Sequence, residues 1–354
     1  MRLFLTGAGG FIGHHVLEHA LSATDWDVTA TDSFRHKGRT DRITQVLDGH
    51  PEWRERVTVI THDLAAPFSP ATAARMSGVD YMIAMASESH VDRSITDPVP
   101  FVRNNVDVIL STLELARVLQ PRHVIVISTD EVYGPVEAGS PGHPEWAPVI
   151  PSNPYSASKA AQEAIAVSYW RTYSLPVTIV NCMNLFGERQ DPEKFLPKTL
   201  RAIIRGETVT IHGRPGNIGT RHYLHARNMA DALLHILREL PPRPFPDADR
   251  PDRWNIAGPE PVSNLALAGE VARIVGALND LGGEAPWKYE LVDFHSARPG
   301  HDPHYGLDPS KLAAAGWKPP VDFRESLERT IAWTLRHQEW LSLKQRCRSR
   351  GILR

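Results

Sequence analysis

Two short stretches carry side chains whose types and spacing could move protons. In Ser152-Asn153-Pro154-Tyr155-Ser156-Ala157-Ser158-Lys159, a phenol and an ammonium stand four residues apart. That spacing puts both on one face of a helix that Asn153 can cap and Pro154 can open. A phenol is a poor base at neutral pH, but a neighbouring ammonium, or another positive charge brought beside it, favours the phenolate. Such a pair can take a proton from an alcohol while hydride leaves. The second stretch, Ser128-Thr129-Asp130-Glu131-Val132-Tyr133-Gly134, sets a hydroxyl beside two adjacent acids. Alcohol oxidation needs neither acid. Once an alcohol becomes a ketone, however, the proton on the neighbouring carbon is acidified, and loss of water from there needs one group to take that proton and another to protonate the departing hydroxyl. Two carboxyls in different protonation states suit this. Neighbours in extended chain face opposite ways, so the chain must turn after Ser128 if both acids are to reach one substrate.

A cofactor fits the segment Thr6-Gly7-Ala8-Gly9-Gly10-Phe11-Ile12-Gly13, which follows a first strand and opens a helix. Glycines there allow a tight turn and close approach, and the free N–H groups of a new helix attract a diphosphate. Asp32 ends the second strand about twenty residues further on, where a carboxylate accepts hydrogen bonds from an adenosine ribose diol. This favours NAD over NADP. The counter-signal is Arg35, Lys37 and Arg39, which could neutralise a 2′-phosphate, although Asp32 would repel that phosphate at close range. Asp63, after the third strand, is placed to contact the adenine.

These groups need a frame. Apolar runs at Arg2–Thr6, Val28–Thr31, Val57–Thr61, Tyr81–Ala84, Val124–Ser128 and Val177–Asn181 alternate with amphipathic stretches, the pattern of βαβ units and a buried, doubly wound parallel sheet. The β-branched run Val124-Ile125-Val126-Ile127 reads as a central strand covered on both faces, and its C-terminal end is where chemistry is expected. The second half predicts helices near Lys194–Ile204, Arg227–Leu237, Leu265–Leu278 and Phe323–Trp333 with few strands, hence a smaller mixed lobe. The expected division is a cofactor-binding domain over 1–181, a substrate lobe over 182–340 with some crossing of the chain between them, and a basic tail over 341–354. Gly134–Pro151 and Leu240–Asp252 read as Pro-rich loops, the first of them beside the site.

Composition supports this frame. The 354 residues carry 39 Lys plus Arg against 41 Asp plus Glu, a formal charge of −2, which argues against a nucleic-acid binder that coats phosphates. Cys182 and Cys347 are the two cysteines and stand far apart. A disulfide scaffold and a cysteine zinc site are both excluded, and a reducing cytoplasm fits. No export signal and no apolar run of membrane-spanning length is evident. His15 and His19 lack a third ligand and read as surface histidines, so no metal is expected.

Together, the glycine turn, the Ser128-Thr129 strand end and the Tyr155/Lys159 pair resemble the extended short-chain dehydrogenase/reductase family over nearly the whole chain. Four motifs, Ser128–Gly134, Glu88-Ser89-His90-Val91-Asp92-Arg93-Ser94-Ile95, Pro192-Glu193-Lys194 and Arg298-Pro299-Gly300-His301-Asp302, are similar to the dTDP-glucose 4,6-dehydratases within it. The resemblance implies a Rossmann-type sheet with a smaller C-terminal substrate lobe, a retained NAD and a cycle of C4 oxidation, C5/C6 elimination and C6 reduction. It gives Tyr155 the role of C4 base, assisted by Lys159 and Thr129, with Glu131 abstracting the C5 proton and Asp130 protonating the leaving hydroxyl. Around NAD it places Gly7, Gly10, Phe11, Ile12, Gly13, Asp32 and Asp63, then Leu64, Met85, Ala86, Ser87, Tyr155 and Lys159. Around the nucleotide sugar it places Ser89, Thr129, Asn184, Lys194, Phe195, Arg221, Asn255, Arg298 and Tyr305. Ala84, Ser87, Leu185 and His222 depart from the family pattern, where His, Ala, Asn and Asp stand. These departures weaken the substrate assignment more than the chemistry: a dTDP-hexose still comes first, with a UDP-hexose or another nucleotide hexose second; release of a 5,6-alkene stays open, an epimerase or decarboxylase of the same fold is the enzyme alternative, and a non-catalytic NAD-binding sensor comes last. A homodimer joined through Val106–Leu119 and the helix after Tyr155 is also implied.

Overall fold

The structure is a computed structural model that describes residues 1–137, 139–293 and 302–343. The apolar runs of the first half become β1 (Arg2–Thr6), β2 (Asp27–Asp32), β3 (Val57–Thr61), β4 (Tyr81–Ala84), β5 (His123–Thr129) and β6 (Val177–Cys182). All pair in parallel, in the order β6-β5-β4-β1-β2-β3. Every residue of β5 and β6 is buried, as continuous β-branched runs demand when helices cover both sheet faces.

Between the strands run α1 (Phe11–Ala23), α2 (Thr40–Gly49), α3 (Pro70–Arg75), α4 (Val91–Thr96), α5 (Pro98–Leu119) and α6 (Pro154–Tyr173). The second half adds α7 (Phe195–Arg205), α8 (Ala226–Glu239) and α9 (Asn264–Leu278). Val16 and Leu17 of α1 meet Leu233 and Leu237 of α8 in one apolar cluster on Leu3 and Leu5. On the opposite face Ile109 and Leu113 of α5 join Ala166 and Trp170 of α6 over Val124 and Val126.

The seventh strand of the sheet, Asp252–Ile256, pairs in parallel with β6. It comes from the stretch expected in the substrate lobe, and α8 just before it packs on α1. Burial explains the return: every residue of β6 is buried, half of them Val or Ile, and such a strand is a liability at an open sheet edge. The smaller lobe has its own core, in which Leu200 and Ile203 of α7 meet Val271 and Ile274 of α9 and Leu327 and Ile331. It also contains strands that the sequence pattern did not announce, Thr208–Arg214 paired in parallel with Lys288–Val292.

Strand order reverses between β1 and β4, so the chain ends of β1, β4 and β5 open a crevice at the edge of the sheet facing the lobe. Such a reversal is where open parallel sheets bind ligands.

Candidate active site

That crevice is a cleft of about 350 Å³. Its floor is the glycine turn. Gly7 adopts φ +71°, a left-handed conformation that a side chain resists, and a Cβ on Gly13 would lie 2.0 Å from the Gly7 carbonyl oxygen. The turn can therefore close only with hydrogen at both positions. Helix α1 starts at Phe11 with Gly10 as its N-cap and no side-chain cap. Its first N–H groups are left to the cleft, which fits a diphosphate. Asp32 lies on the cleft wall and accepts from the Gly9 N–H at 3.0 Å and the Phe34 N–H at 2.8 Å. Burial raises its carboxyl, and these backbone bonds oppose the rise. The two remaining lone-pair sites of a carboxylate suffice for a ribose diol.

The cations that could have welcomed a 2′-phosphate are each engaged. Arg35 pairs with Asp63 at 2.7 Å, Lys37 with Glu193 at 2.8 Å, and Arg39 with Asp41. The residues present thus fit NAD, and Asp63 meets Arg35 while it lines the cleft.

At the end of β5 the chain does turn. Asp130–Tyr133 is a single 3-10 turn that begins directly after Thr129, so both acids face the cleft. The Thr129 hydroxyl donates to Asp130 Oδ1 at 2.9 Å and accepts from the Glu131 N–H at 3.4 Å. Asp130 is 4% exposed and its Oδ2 has no hydrogen-bond partner among the described residues. Burial first, and then the Glu131 charge, raise its carboxyl to about 7. Burial raises Glu131 too, opposed by a hydrogen bond from Asn153 and by the charges of Arg221 and Lys194. Of two acids so placed, one holds a proton near neutrality while the other ionises.

Asp130→Asn tests this. A carboxyl whose folded pKa lies above its unfolded value costs no stability below pH 4, and its cost grows until about pH 7. The substitution should therefore stabilise the fold by a few kcal/mol (~2–4) at pH 8 and by little at pH 4.5. Thermal unfolding at both pH values measures it, and a gain larger at pH 4.5 would contradict the assignment.

Asn153 and Ser156 form a reciprocal capping box at the start of α6, and Pro154 opens the helix. Tyr155 and Lys159 follow on its cleft-facing side. Lys159 is buried, with Nζ donating to the Ile127 carbonyl at 2.7 Å and to the Gln162 side chain. Burial lowers its ammonium to about 8. Burial and the Glu131 charge push the Tyr155 phenol up. Among the described residues the balance runs against the phenolate; a positively charged nicotinamide held beside Tyr155 would favour it.

On the substrate side Ser89, Asn184, Lys194 and Phe195 line the cleft together with Thr129. So do Leu64, Met85, Ala86 and Ser87 on the cofactor side. Arg221 and Tyr305 stand just behind it: Arg221 donates to the carbonyls of Pro303 and Asp302 at 2.6 and 3.0 Å, with its guanidinium 4.6 Å from the Tyr305 ring. Asn255 corrects the sequence expectation. It is fully buried, and its Nδ2 donates to the carbonyls of His143 and Asp308 at 2.9 and 3.2 Å. It ties the Pro-rich loop to the segment after Pro303 and does not reach the cleft. Arg298, with most of the basic tail, lies outside the described residues.

His15 is a second correction. Far from the surface, it is 3% exposed and its Nε2 lies 3.1 Å from the Glu188 carbonyl oxygen; His19 instead meets Asp231 at 3.2 Å. Arg42 was not anticipated at all. Fully buried, it donates to the carbonyls of Gly9 at 3.1 Å, Lys37 at 2.7 Å and Arg189 at 2.9 Å, and pairs with Asp191 at 3.2 Å. One guanidinium thus joins three walls of the cofactor cleft. Its spacing from these partners is long and irregular, so no sequence pattern points to it. Asn153 was legible as a cap, but its reach to Glu131 was not.

Comparison with known proteins places the chain in a family. The family described as NAD dependent epimerase/dehydratase matches residues 3–257. The dTDP-glucose 4,6-dehydratase of Streptomyces antibioticus is 34% identical over 96% of this chain and 94% of its own. The low-salt glycan biosynthesis protein Agl12 of Haloferax volcanii is 32% identical over 96% of this chain and all of its own. A dTDP-glucose 4,6-dehydratase double mutant from Streptomyces venezuelae, solved with NAD bound, superposes with a TM-score of 0.81 at 30% identity, covering 97% of this chain and 99% of that one.

Proposed function

This chain belongs to the NAD dependent epimerase/dehydratase family, and we propose that it is a nucleotide-sugar 4,6-dehydratase that converts dTDP-glucose to its 4-keto-6-deoxy product. The observation that carries this is the pair of acids on one turn beside Tyr155, Glu131 partly buried and Asp130 buried and raised to about 7 by burial and by Glu131. An epimerase of this fold has no use for an acid at Asp130.

NAD, when bound, supplies a hydride acceptor for C4 and a donor for C6. The chain's own residues handle protons. Tyr155 takes the C4 hydroxyl proton, with Thr129 beside it on the cleft and Lys159 buried one turn along α6. Glu131 removes the C5 proton and returns it once C6 is reduced. Asp130 gives its proton to the C6 hydroxyl, which leaves as water. Over one cycle Tyr155 gains a proton and Asp130 loses one; the Thr129 hydroxyl, which donates to Asp130 and lines the cleft with Tyr155, offers the path that resets them. Ser89, Asn184, Lys194 and Phe195 are proposed to hold the nucleotide sugar, with Arg221 and Tyr305 behind them.

The test is incubation with dTDP-glucose bearing deuterium at C4, without added cofactor. A product lighter by one water with deuterium on the C6 methyl is expected; an isobaric product or deuterium lost to solvent would reject the reading. A parallel run with UDP-glucose ranks the nucleotides.

The proposal extends to a homodimer in a cytoplasmic setting. Val99, Val118 and Tyr173 are 63, 69 and 45% exposed along α5 and α6, apolar surface that a second copy would cover. Sedimentation at the mass of one chain would reject the dimer. No helix among the described residues is long and apolar enough to cross a membrane.

A further inference from the structure

Asn153 stands where α6 meets the turn that carries the acids, and both ends of its amide are used. Its Oδ1 accepts from the Ser156 N–H at 2.9 Å, the capping bond of the helix. That bond fixes which end is the amine, because only oxygen can accept there. Nδ2 therefore faces Glu131 and donates to its Oε2 at 3.2 Å. The side chain is 7% exposed and Pro154 stiffens the backbone beside it.

We propose that Asn153 is the positioning residue for the C5 base: it locks the Glu131 carboxylate to the first turn of the helix bearing Tyr155 and Lys159, so that base and phenol share one rigid frame. This rests on the reading of Glu131 as that base. A capping bond alone would need any short polar side chain. Asparagine adds a donor aimed the other way, and a carboxylate held by an N–H loses rotamer freedom and keeps its charge more readily.

Other charges face Glu131 from every side. Arg221 and Lys194 favour its ionised form and Asp302 disfavours it. Asp130 titrates together with it, and the phenols of Tyr155 and Tyr305 both feel its charge. Among the influences favouring ionisation the Asn153 bond is the largest, ahead of the two cations. Its removal should therefore be visible against that background.

Asn153→Ser separates the two functions. A serine caps a helix as well as asparagine does, but its hydroxyl ends where the asparagine amide carbon stands and falls short of Glu131. Asn153→Asp keeps the cap and turns a second carboxylate toward Glu131. Single-turnover elimination is followed against pH for both variants and for Glu131→Gln. In Asn153→Ser the acidic limb should move up by about one pH unit, making elimination about tenfold slower on that limb, with the gap closing as pH rises. Asn153→Asp should move the limb further in the same direction. An unshifted limb in Asn153→Ser, or a uniform loss at all pH with a lowered melting temperature, overturns the positioning role. Undiminished elimination in Glu131→Gln overturns the reading beneath it.

Discussion

Replacing Tyr155 with phenylalanine is expected to slow formation of the 4-keto sugar by about 10³-fold, within the span attributed to a positioned general base. The phenyl ring keeps the packing against Phe101, whose ring lies 6.3 Å away, so the loss reports on the hydroxyl. Its neighbours in the cleft cannot take over: Lys159 gives its ammonium to Ile127 and Gln162, and the Thr129 hydroxyl donates to Asp130. Burial and the Glu131 charge already hold the Tyr155 phenol high, so the oxidation rate of the unaltered protein should climb with pH over the neutral range. Rapid quench with mass detection of the species lighter by two hydrogens reads this step directly. A Tyr155→Phe variant within about tenfold of the parent rate would remove Tyr155 from the mechanism.

Glu131→Gln and Asp130→Asn should each slow water loss by about 10²–10³-fold while the 4-keto hexose still forms. The two are distinguished by where they stop. Without the base at Glu131, the C5 proton stays in place, so exchange of C5 with deuterated solvent should vanish. With Asp130→Asn the base survives and exchange should persist, although the hydroxyl leaves slowly because the amide has no proton to give. The assignment follows from environment: Asp130, whose Oδ2 has no hydrogen-bond partner among the described residues, is raised to about 7 by burial and Glu131, which suits an acid at neutral pH. Glu131 has Asn153 and two cations favouring its anion, which suits a base. Exchange retained in Glu131→Gln but lost in Asp130→Asn would reverse the two roles.

The readings that were legible in the sequence are those whose physics is local. Strands β1 to β6 follow from runs of a few apolar residues, the glycine turn from neighbouring positions, and the shared face of Tyr155 and Lys159 from helical periodicity. The cap at Asn153 likewise depends on residues three apart. Tertiary structure decided the rest, because burial and distant partners leave no trace in spacing. Asp130 and an ordinary surface aspartate are one letter; only the walls around it raise its carboxyl. Asn153 reaches Glu131 across 22 positions and Arg42 reaches Arg189 across 147, separations that chain folding alone closes. The same holds for Asn255, which resembles a ligand-facing residue by motif yet is fully buried and bound to two loop carbonyls, and for Asp252–Ile256, which leaves its expected lobe to cover β6. The sequence alone determined which groups could do the chemistry; tertiary packing set which of them hold protons, because a proton's affinity depends on the medium and charges around it.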